Sequence, residues 1–340
     1  MSTSCGPALN GYLMPASGAL ARLVSGLCLA VLPSMAMAAD LQGFPAKPIR
    51  FVLPYAPGGA TSVSARILSQ KLVESWGQQV LVINQPGGNT TIGADAVARA
   101  APDGYTIMLV TSTHIIAPLL QPVRYDPIRD FTPIAPMNKV ETIVAAYPGL
   151  PVNNLKDLIA LAKSKPGRLN YATSSTGSPP HLAAELFSSM VGIRMQNISY
   201  KGGGPAMTDV LGGQVDLMFS NPINLSPHVT SGKLRGIAIS GANRAPTMPQ
   251  VPTFAEGGVA GFNGAFWQGI LAPAGLGKPM TDRYAAEIAR ILAMPDVRDS
   301  ILNQGAVPFA ASSEEFGAVM KADMANYEKI IKAANIKVEQ

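Results

Sequence analysis

The chain has 340 residues, which is long enough for two domains. Hydrophobic residues make up 47% of it and charged residues 14%, a composition that fills a large core and excludes an intrinsically disordered chain. The formal net charge at pH 7 is +5, but Lys and Arg are spread along the chain without a basic run interleaved with aromatic residues, so nucleic acid is not an expected partner.

The N-terminal segment has the pattern of a secretory signal peptide. Arg22 precedes the apolar stretch LVSGLCLAVLP, and small residues follow at Ala36-Met37-Ala38. The apolar stretch is too short for a membrane-spanning helix; a buried helix is the alternative interpretation. We therefore expect residues 1–38 to be a signal peptide and the mature protein to be periplasmic.

Both cysteines, Cys5 and Cys28, precede the expected cleavage site. The mature chain would then contain no cysteine, which excludes disulfides, thiol catalysis and cysteine metal sites. Leu27 stands where a lipoprotein signal requires a small residue before its cysteine. This favours a soluble exported protein over a lipid-anchored one.

Beyond residue 45, short apolar segments alternate with segments of helical periodicity such as Ala65, Leu68 and Leu72. This alternation predicts an α/β fold in which mostly parallel sheets are flanked by helices. The predicted strands are 49–53, 80–83, 106–110, 142–146, 169–172, 215–219 and 234–239.

Two helix starts are marked by capping residues. Ser178 followed by Pro179-Pro180 is typical of a hydroxyl cap with proline in the first turn. Ser312 and Glu315 form the S-x-x-E pattern of a capping box, which predicts a long C-terminal helix.

The loops at the carboxyl ends of the predicted strands consist almost entirely of Gly, Ser, Thr, Asn and Pro, and most lead into predicted helices. Ligands bind at this edge of an open parallel sheet, and a helix N-terminus attracts an anion without a basic side chain. Taken together, these loops favour a carboxylate-binding cleft, although the same residue types are ordinary in turns. The loops are PYAPGGATS at 54–62, NQPGGNTT at 84–91, TSTH at 111–114, SSTGSPP at 174–180, YKGGGPA at 200–206 and SNP at 220–222.

The roles of several side chains stay open at this point. Lys201, the one formal cation in these loops, either pairs with an anionic ligand or points to solvent. His114 is either a hydrogen-bond donor in the cleft or a plain loop residue. Phe266 and Trp267 either line the cleft or belong to the core of a strand.

Motifs of common enzyme classes are missing from the sequence. PGGATS lacks the lysine of a P-loop, PGGNTTIG is not a dinucleotide fingerprint, and there is no G-x-S-x-G elbow. The spacing of His114, His181 and His228 does not suit a metal site, so neither a metal nor a cofactor is expected. A hydrolase using Ser178 with His181, or Ser112 with His114, remains an alternative.

Three longer segments carry a resemblance to a known family. They are NQPGGNTTIGADAVARAAPDGYTIML, YKGGGPAMTDVLGGQVDLMF and GKLRGIAISGANRAPTMPQVPTFAEGG, and the similarity extends over almost the whole mature chain. They resemble the Bug family, also called TctC-like proteins: periplasmic solute receptors of tripartite tricarboxylate transport systems. The resemblance implies a two-domain periplasmic binding protein of the Venus-flytrap type. Domain 1 would comprise 45–145 plus 265–340 and domain 2 would comprise 146–264, with crossover strands near 142–146 and 266–271 as the hinge.

The resemblance further implies a monomeric receptor, not an enzyme, that binds a small dicarboxylate, tricarboxylate or aromatic acid between its domains and delivers it to a membrane permease. An orphan receptor that serves a signalling partner is the alternative. The ligand-binding residues that the resemblance implies are Tyr55, Ala56, Gly58, Gly59, Ala60, Thr61, Ser62, Gly88, Asn89, Thr90, Ser175, Thr176, Gly177, Ser178, Tyr200, Lys201, Gly202 and Asn221. The strand-end loop TSTH adds Ser112 and His114 as candidates.

The first loop departs from the family pattern at one position. The family pattern reads P-G-G-G-T-D, whereas here Ser62 replaces the aspartate. The lost negative charge makes a ligand with an amino group less attractive than a plain di-acid or an aromatic acid. If the aspartate only caps a helix, Ser62 can do the same.

We expect signal peptidase to produce a mature N-terminus at Ala39, because Ala36 and Ala38 are the small residues that this peptidase reads. Intact-mass spectrometry of protein recovered from the periplasm tests this. A mature chain that retains Cys28 would contradict it.

Overall fold

The computed structural model describes residues 43–57, 60–200, 202–303 and 305–336, without the side chain of Ala60. The expected signal peptide, Gly58, Gly59 and Lys201 lie outside these ranges. No helix within them is long and apolar enough to cross a membrane.

Eleven β-strands and ten α-helices make up the described part of the chain. The strands are β1 (Ile49–Leu53), β2 (Val80–Asn84), β3 (Thr106–Thr111), β4 (Phe131–Val140), β5 (Ile143–Ala146), β6 (Asn170–Thr173), β7 (Gln196–Ser199), β8 (Leu217–Ser220), β9 (Arg235–Ile239), β10 (Phe266–Pro273) and β11 (Ala306–Pro308). The helices are α1 (Ala60–Trp76), α2 (Thr91–Ala98), α3 (Thr113–Leu120), α4 (Leu155–Ser164), α5 (Pro179–Val191), α6 (Gly203–Leu211), α7 (Pro222–Thr230), α8 (Lys278–Leu292), α9 (Pro295–Asn303) and α10 (Ser313–Ala333).

The strands form two sheets, each flanked by helices, which confirms the α/β fold class. Six strands in the order β11-β4-β10-β3-β1-β2 belong to the first lobe, and five in the order β7-β6-β8-β5-β9 belong to the second lobe. The prediction that the sheets are mostly parallel is wrong. Every pair that involves β4, β5 or β10 is antiparallel, because these strands enter or leave a sheet without the helical crossover that a parallel neighbour requires.

All seven predicted strands are present, with ends shifted by at most two residues. The prediction missed β4, β7 and β11. β4 contains Pro133 and Pro136, which read as strand breakers, but both lie where the pairing with β10 shifts register, as proline does at bulges. β7 has no fully buried residue, and β11 is only three residues long, so neither strand has an apolar run that would predict it from the sequence.

The second lobe is a sheet with a core on each face. Val144 of β5 clusters with Leu158 of α4 and Phe187 of α5, whereas its neighbour Ile143 clusters with Val210 of α6 on the opposite face. This is the alternation expected for a strand buried on both sides. In the first lobe a comparable core joins β1 and β3 to α2, α3 and α10.

Both predicted helix starts are confirmed. Ser312 Oγ accepts a hydrogen bond from Glu315 N at 3.1 Å while Ser312 N donates to Glu315 Oε2 at 2.8 Å, completing the capping box of α10. Ser178 precedes α5 with Pro179 in the first turn, but its hydroxyl donates to the Ser175 carbonyl instead of capping the helix.

The chain passes between the two sheets at 141–142 and again within 240–265. Fully buried Thr142 joins the two passages: its Oγ1 donates to the Gly264 carbonyl at 2.7 Å, and its N–H donates to Ser240 Oγ at 2.9 Å. Ser240 Oγ in turn donates to Glu141 Oε2 at 2.5 Å, and burial raises the pKa of Glu141. We call these four residues the hinge cluster. The domain bounds given above stay a prediction.

Thr142→Val should destabilise the protein by about 1–3 kcal/mol, because it leaves the buried Gly264 carbonyl without its donor. Urea unfolding measures this change. Thr281→Val is the matched control, since that buried hydroxyl bonds only weakly to carbonyls near its own helix start, at 3.3 to 3.4 Å. Equal losses in the two variants would show that the hinge bond adds nothing.

Candidate ligand-binding cleft

A cavity of about 640 Å³ is lined by residues of both lobes. Six of the helices in the described ranges begin at this cavity: α1, α2 and α3 from the first lobe, and α5, α6 and α7 from the second. The lining residues at these helix starts include Thr61, Thr90, Thr113, Ser178, Gly202 and Asn221.

These six helices leave their positive N-terminal ends uncompensated. None has an acidic residue in its first turn, whereas α4, α9 and α10, which begin elsewhere, do. In the described part of the chain, no Asp, Glu, Lys or Arg lines the cavity. The helix dipoles therefore make it favourable for an anion. At α7, however, Asn221 caps the Asn224 N–H, and α5 begins with two prolines that have no N–H.

Tyr55 fixes the loop that follows β1. Its hydroxyl accepts a hydrogen bond from Thr111 N at 2.8 Å and donates to Thr111 Oγ1 at 3.1 Å. Its carbonyl accepts from Asn84 Nδ2 at 2.9 Å, so the loop is tied to the ends of both neighbouring strands. Burial raises the pKa of Tyr55 to about 12, and the phenol stays a neutral donor at the cavity wall.

The loop before α2 has an unusual backbone. Four consecutive residues have positive φ: Gly87 at 122°, Gly88 at 55°, Asn89 at 52° and Thr90 at 78°. A β-branched residue such as Thr90 rarely adopts this region, and such strain is concentrated at functional sites. Gln121 Nε2 holds the loop by donating to the Gly88 carbonyl at 2.7 Å. Both Asn89 and Thr90 line the cavity.

The second lobe presents bare backbone and short polar side chains. Gly202 has a φ of 115° and, with the following two glycines, brings the start of α6 to the cavity without any side chain in between. At α7, Asn221 Oδ1 caps the helix by accepting from Asn224 N at 3.0 Å. Asn224 Nδ2 donates to Ser220 Oγ at 3.1 Å, and all three of these polar residues line the cavity.

A pair of buried amides in the middle of the first sheet was missed by the sequence analysis. Asn138 of β4 lies opposite Gln268 of β10, and Asn138 Nδ2 donates to Gln268 Oε1 at 3.4 Å. Both line the cavity. They are on strands and not in a glycine-rich loop, and β4 itself was not recognised, so no local signal indicated them.

Of the two adjacent residues Phe266 and Trp267, the first lines the cavity and the second belongs to the core. Phe266 lines the cavity beside Val140, its partner on β4. Trp267 points to the other face, where its ring packs edge-on against Phe316 at 5.0 Å and its Nε1 donates to Asp323 Oδ2 at 3.0 Å. Adjacent residues of a strand face opposite sides.

Nine of the predicted ligand-binding residues line the cavity. They are Tyr55, Ala56, Thr61, Asn89, Thr90, Ser175, Ser178, Gly202 and Asn221. Gly58, Gly59 and Lys201 lie outside the described residues, as does the side chain of Ala60.

The other predicted residues lie outside the cavity lining. Ser62 is buried within α1 and does not precede it, and Gly88 contributes its carbonyl to the loop contacts described above. Tyr200 turns its hydroxyl to Asp209 Oδ2 at 2.6 Å. Thr176 faces a separate surface pocket, and Gly177, which forms the turn of the 174–178 loop, is buried.

Neither of the Ser/His pairs forms a nucleophile–base hydrogen bond. Ser112 Oγ accepts from Trp267 N at 3.3 Å, while His114 Nε2 is hydrogen-bonded to the Pro127 carbonyl at 2.9 Å in the core. Burial lowers the pKa of His114 to about 4. His181 Nδ1 accepts the Gly177 N–H and is therefore not available to Ser178. No cluster of metal-ligating side chains occurs in the described ranges.

Two helix-flanked sheets share a cavity in which no Asp, Glu, Lys or Arg is among the described lining residues. This is the arrangement of periplasmic solute-binding receptors of the two-domain type. The family and structural neighbours of this chain are such receptors and not enzymes. The chain belongs to the tripartite tricarboxylate transporter family receptors, the TctC family, whose model matches residues 64–336. The resemblance inferred from the sequence is thereby confirmed.

Individual relatives agree with this assignment. Protein BugT of Bordetella pertussis is 33% identical over 299 residues, which cover 87% of this chain and 92% of BugT. The structure of Rpa4515 of R. palustris with adipate has a TM-score of 0.78 at 31% identity, covering 86% of this chain and 99% of that one. MatC of Rhodopseudomonas palustris with bound malate has a TM-score of 0.74 at 29% identity, covering 85% of this chain and 100% of MatC.

Tyr55→Phe should weaken binding of a carboxylate about tenfold and cost about 1–3 kcal/mol of stability, because it leaves the Thr111 N–H without its acceptor at the cavity wall. Titration calorimetry and urea unfolding measure the two effects. Tyr284→Phe is the control: it removes a buried hydroxyl that donates to the Gly104 carbonyl at 2.7 Å, outside the cavity lining. Unchanged affinity in Tyr55→Phe would mean that the loop after β1 does not hold the ligand.

Proposed function

We propose that this protein is a periplasmic receptor that binds a small organic carboxylate in the cavity and delivers it to a tripartite tricarboxylate-type membrane permease. The observation that carries the proposal is the convergence of six helix N-termini, without acidic first turns, on one cavity. Export rests on the expected signal peptide, and the permease partner rests on the family.

The distribution of the helices favours a di-acid. Three helix N-termini belong to each lobe, so the two carboxylates of one ligand can each face the positive helix ends of a different lobe. In the second lobe the uncapped N–H groups are chiefly those of Gly203 and Gly204 at the start of α6. Adipate and malate, which are bound to Rpa4515 and MatC, are dicarboxylates. Uncharged Asn138 and Gln268 suit a hydroxyl between the two carboxylates, as in malate, better than the apolar chain of adipate.

The expected affinity follows from the number of bonds. A hydrogen bond to a charged group contributes about 1.5–3 kcal/mol. A few of them reach the roughly −8 kcal/mol of a micromolar complex. A ligand that engages both lobes also draws them together about the hinge cluster, which is the closure motion of periplasmic binding proteins.

Titration calorimetry with adipate, malate and benzoate, each compared with its amide, tests this function. We expect at least one di-acid to bind with a dissociation constant in the micromolar range, and its diamide to lose about a hundredfold or more because the charged acceptors are gone. Small-angle scattering should show a smaller radius of gyration with the bound acid. Equal binding of acid and diamide, or no change in radius at saturation, would contradict the proposal.

A further inference from the structure

The loop at 174–178 connects β6 to α5 in the second lobe. It supplies Ser174, Ser175 and Ser178 to the cavity lining. Gly202 N donates to the Ser174 carbonyl at 2.9 Å, and Ser178 Oγ donates to the Ser175 carbonyl at 2.8 Å. These bonds hold the two ends of the loop through its carbonyl groups.

The turn of the loop is held by a hydrogen bond from the Gly177 amide to His181. Gly177 has a φ of 73°, and its N–H donates to His181 Nδ1 at 2.9 Å. A Cβ added at Gly177 would lie 2.1 Å from Leu120 Cδ1 of α3. The loop is therefore packed directly against the first lobe, and a small change in its path would alter both the cavity wall and the contact between the lobes.

His181 is built to accept this bond. The ring is 4% exposed, and burial lowers its pKa to about 4, so it is neutral at pH 7. Because Nδ1 accepts the Gly177 N–H, the proton of the neutral ring is on Nε2, which lies 3.9 Å from Glu185 Oε1. Glu185 Oε1 is itself bound by the Tyr171 hydroxyl. At 3.9 Å the Nε2–Glu185 contact is too long for a hydrogen bond, so the ring is oriented by its bond at Nδ1.

The same region joins the two lobes a third time. Leu182, the residue after His181, forms an apolar cluster with Ile116 of α3 and Ile331 of α10. The first turn of α5 is anchored to the first lobe by this cluster. The position of His181, and through it the loop, therefore follows the relative position of the lobes.

We propose that His181 is a positioning residue for ligand binding, whose Nδ1 holds the Gly177 amide and thereby keeps Ser174, Ser175 and Ser178 directed at the cavity. This inference rests on the proposed function of the cavity. His181 does not line the cavity, so it acts on the ligand only through the loop.

The test compares two substitutions that separate the acceptor from the packing. His181→Asn keeps an acceptor near the place of Nδ1 but loses volume, whereas His181→Leu keeps apolar volume but has no acceptor. Titration with adipate and malate should give an affinity within about threefold of the unmodified protein for His181→Asn and a loss of about tenfold or more for His181→Leu. A role in packing alone predicts the reverse order, and that result, or equal affinity in both variants, would overturn the proposal.

Hydrogen exchange at the Gly177 amide provides a readout that needs no ligand. We expect slow exchange in the unmodified protein and in His181→Asn, and fast exchange in His181→Leu, because only the first two retain an acceptor for this N–H. If neither acid binds the unmodified protein, the proposed function fails while this measurement still decides the role of His181. An amide that stays protected in His181→Leu would show that His181 does not hold the loop.

Discussion

An α-helix leaves its first backbone N–H groups without partners inside the helix, and the cavity of this protein is built on that constraint. Six helix N-termini meet there, and their first turns contain no acidic side chain that would neutralise them. The attraction for an anion is supplied by backbone, so the cavity wall needs no basic side chain, and most of its polar residues are Gly, Ser, Thr and Asn. The same wall contains no Asp, Glu, Lys or Arg within the described residues.

Under the proposed function, dividing these helices between two lobes links ligand binding to closure of the lobes. A ligand that reaches N–H groups in both lobes is bound most tightly when the lobes are close together. The chain crosses between the sheets at two passages, which Thr142 joins by its bonds to Ser240 and Gly264. Because Thr142 is fully buried, these bonds are shielded from water.

Side chains close together in the sequence are directed to very different places. Phe266 lines the cavity, whereas Trp267 is in the core behind it. Ser178 lines the cavity, whereas His181, one helical turn later, is turned away from it towards Gly177. Residue type at a loop or helix start therefore indicates the region of a binding site, but not which side chains touch the ligand.

The sequence by itself determined the features that depend on neighbouring residues: the seven predicted strands, the capping box of α10, the glycine-rich helix starts and the family. The tertiary structure alone decided the features that depend on distant residues. Asn138 and Gln268 meet only because β4 and β10 pair, although 130 positions separate them. β4 was hidden by its prolines, since a proline breaks a strand in isolation but is tolerated at a bulge that only the partner strand defines. Tyr200 is hydrogen-bonded to Asp209, and His114 is hydrogen-bonded to the Pro127 carbonyl, so neither side chain faces the cavity. A buried polar group takes the hydrogen-bond partner that the packed fold brings within reach.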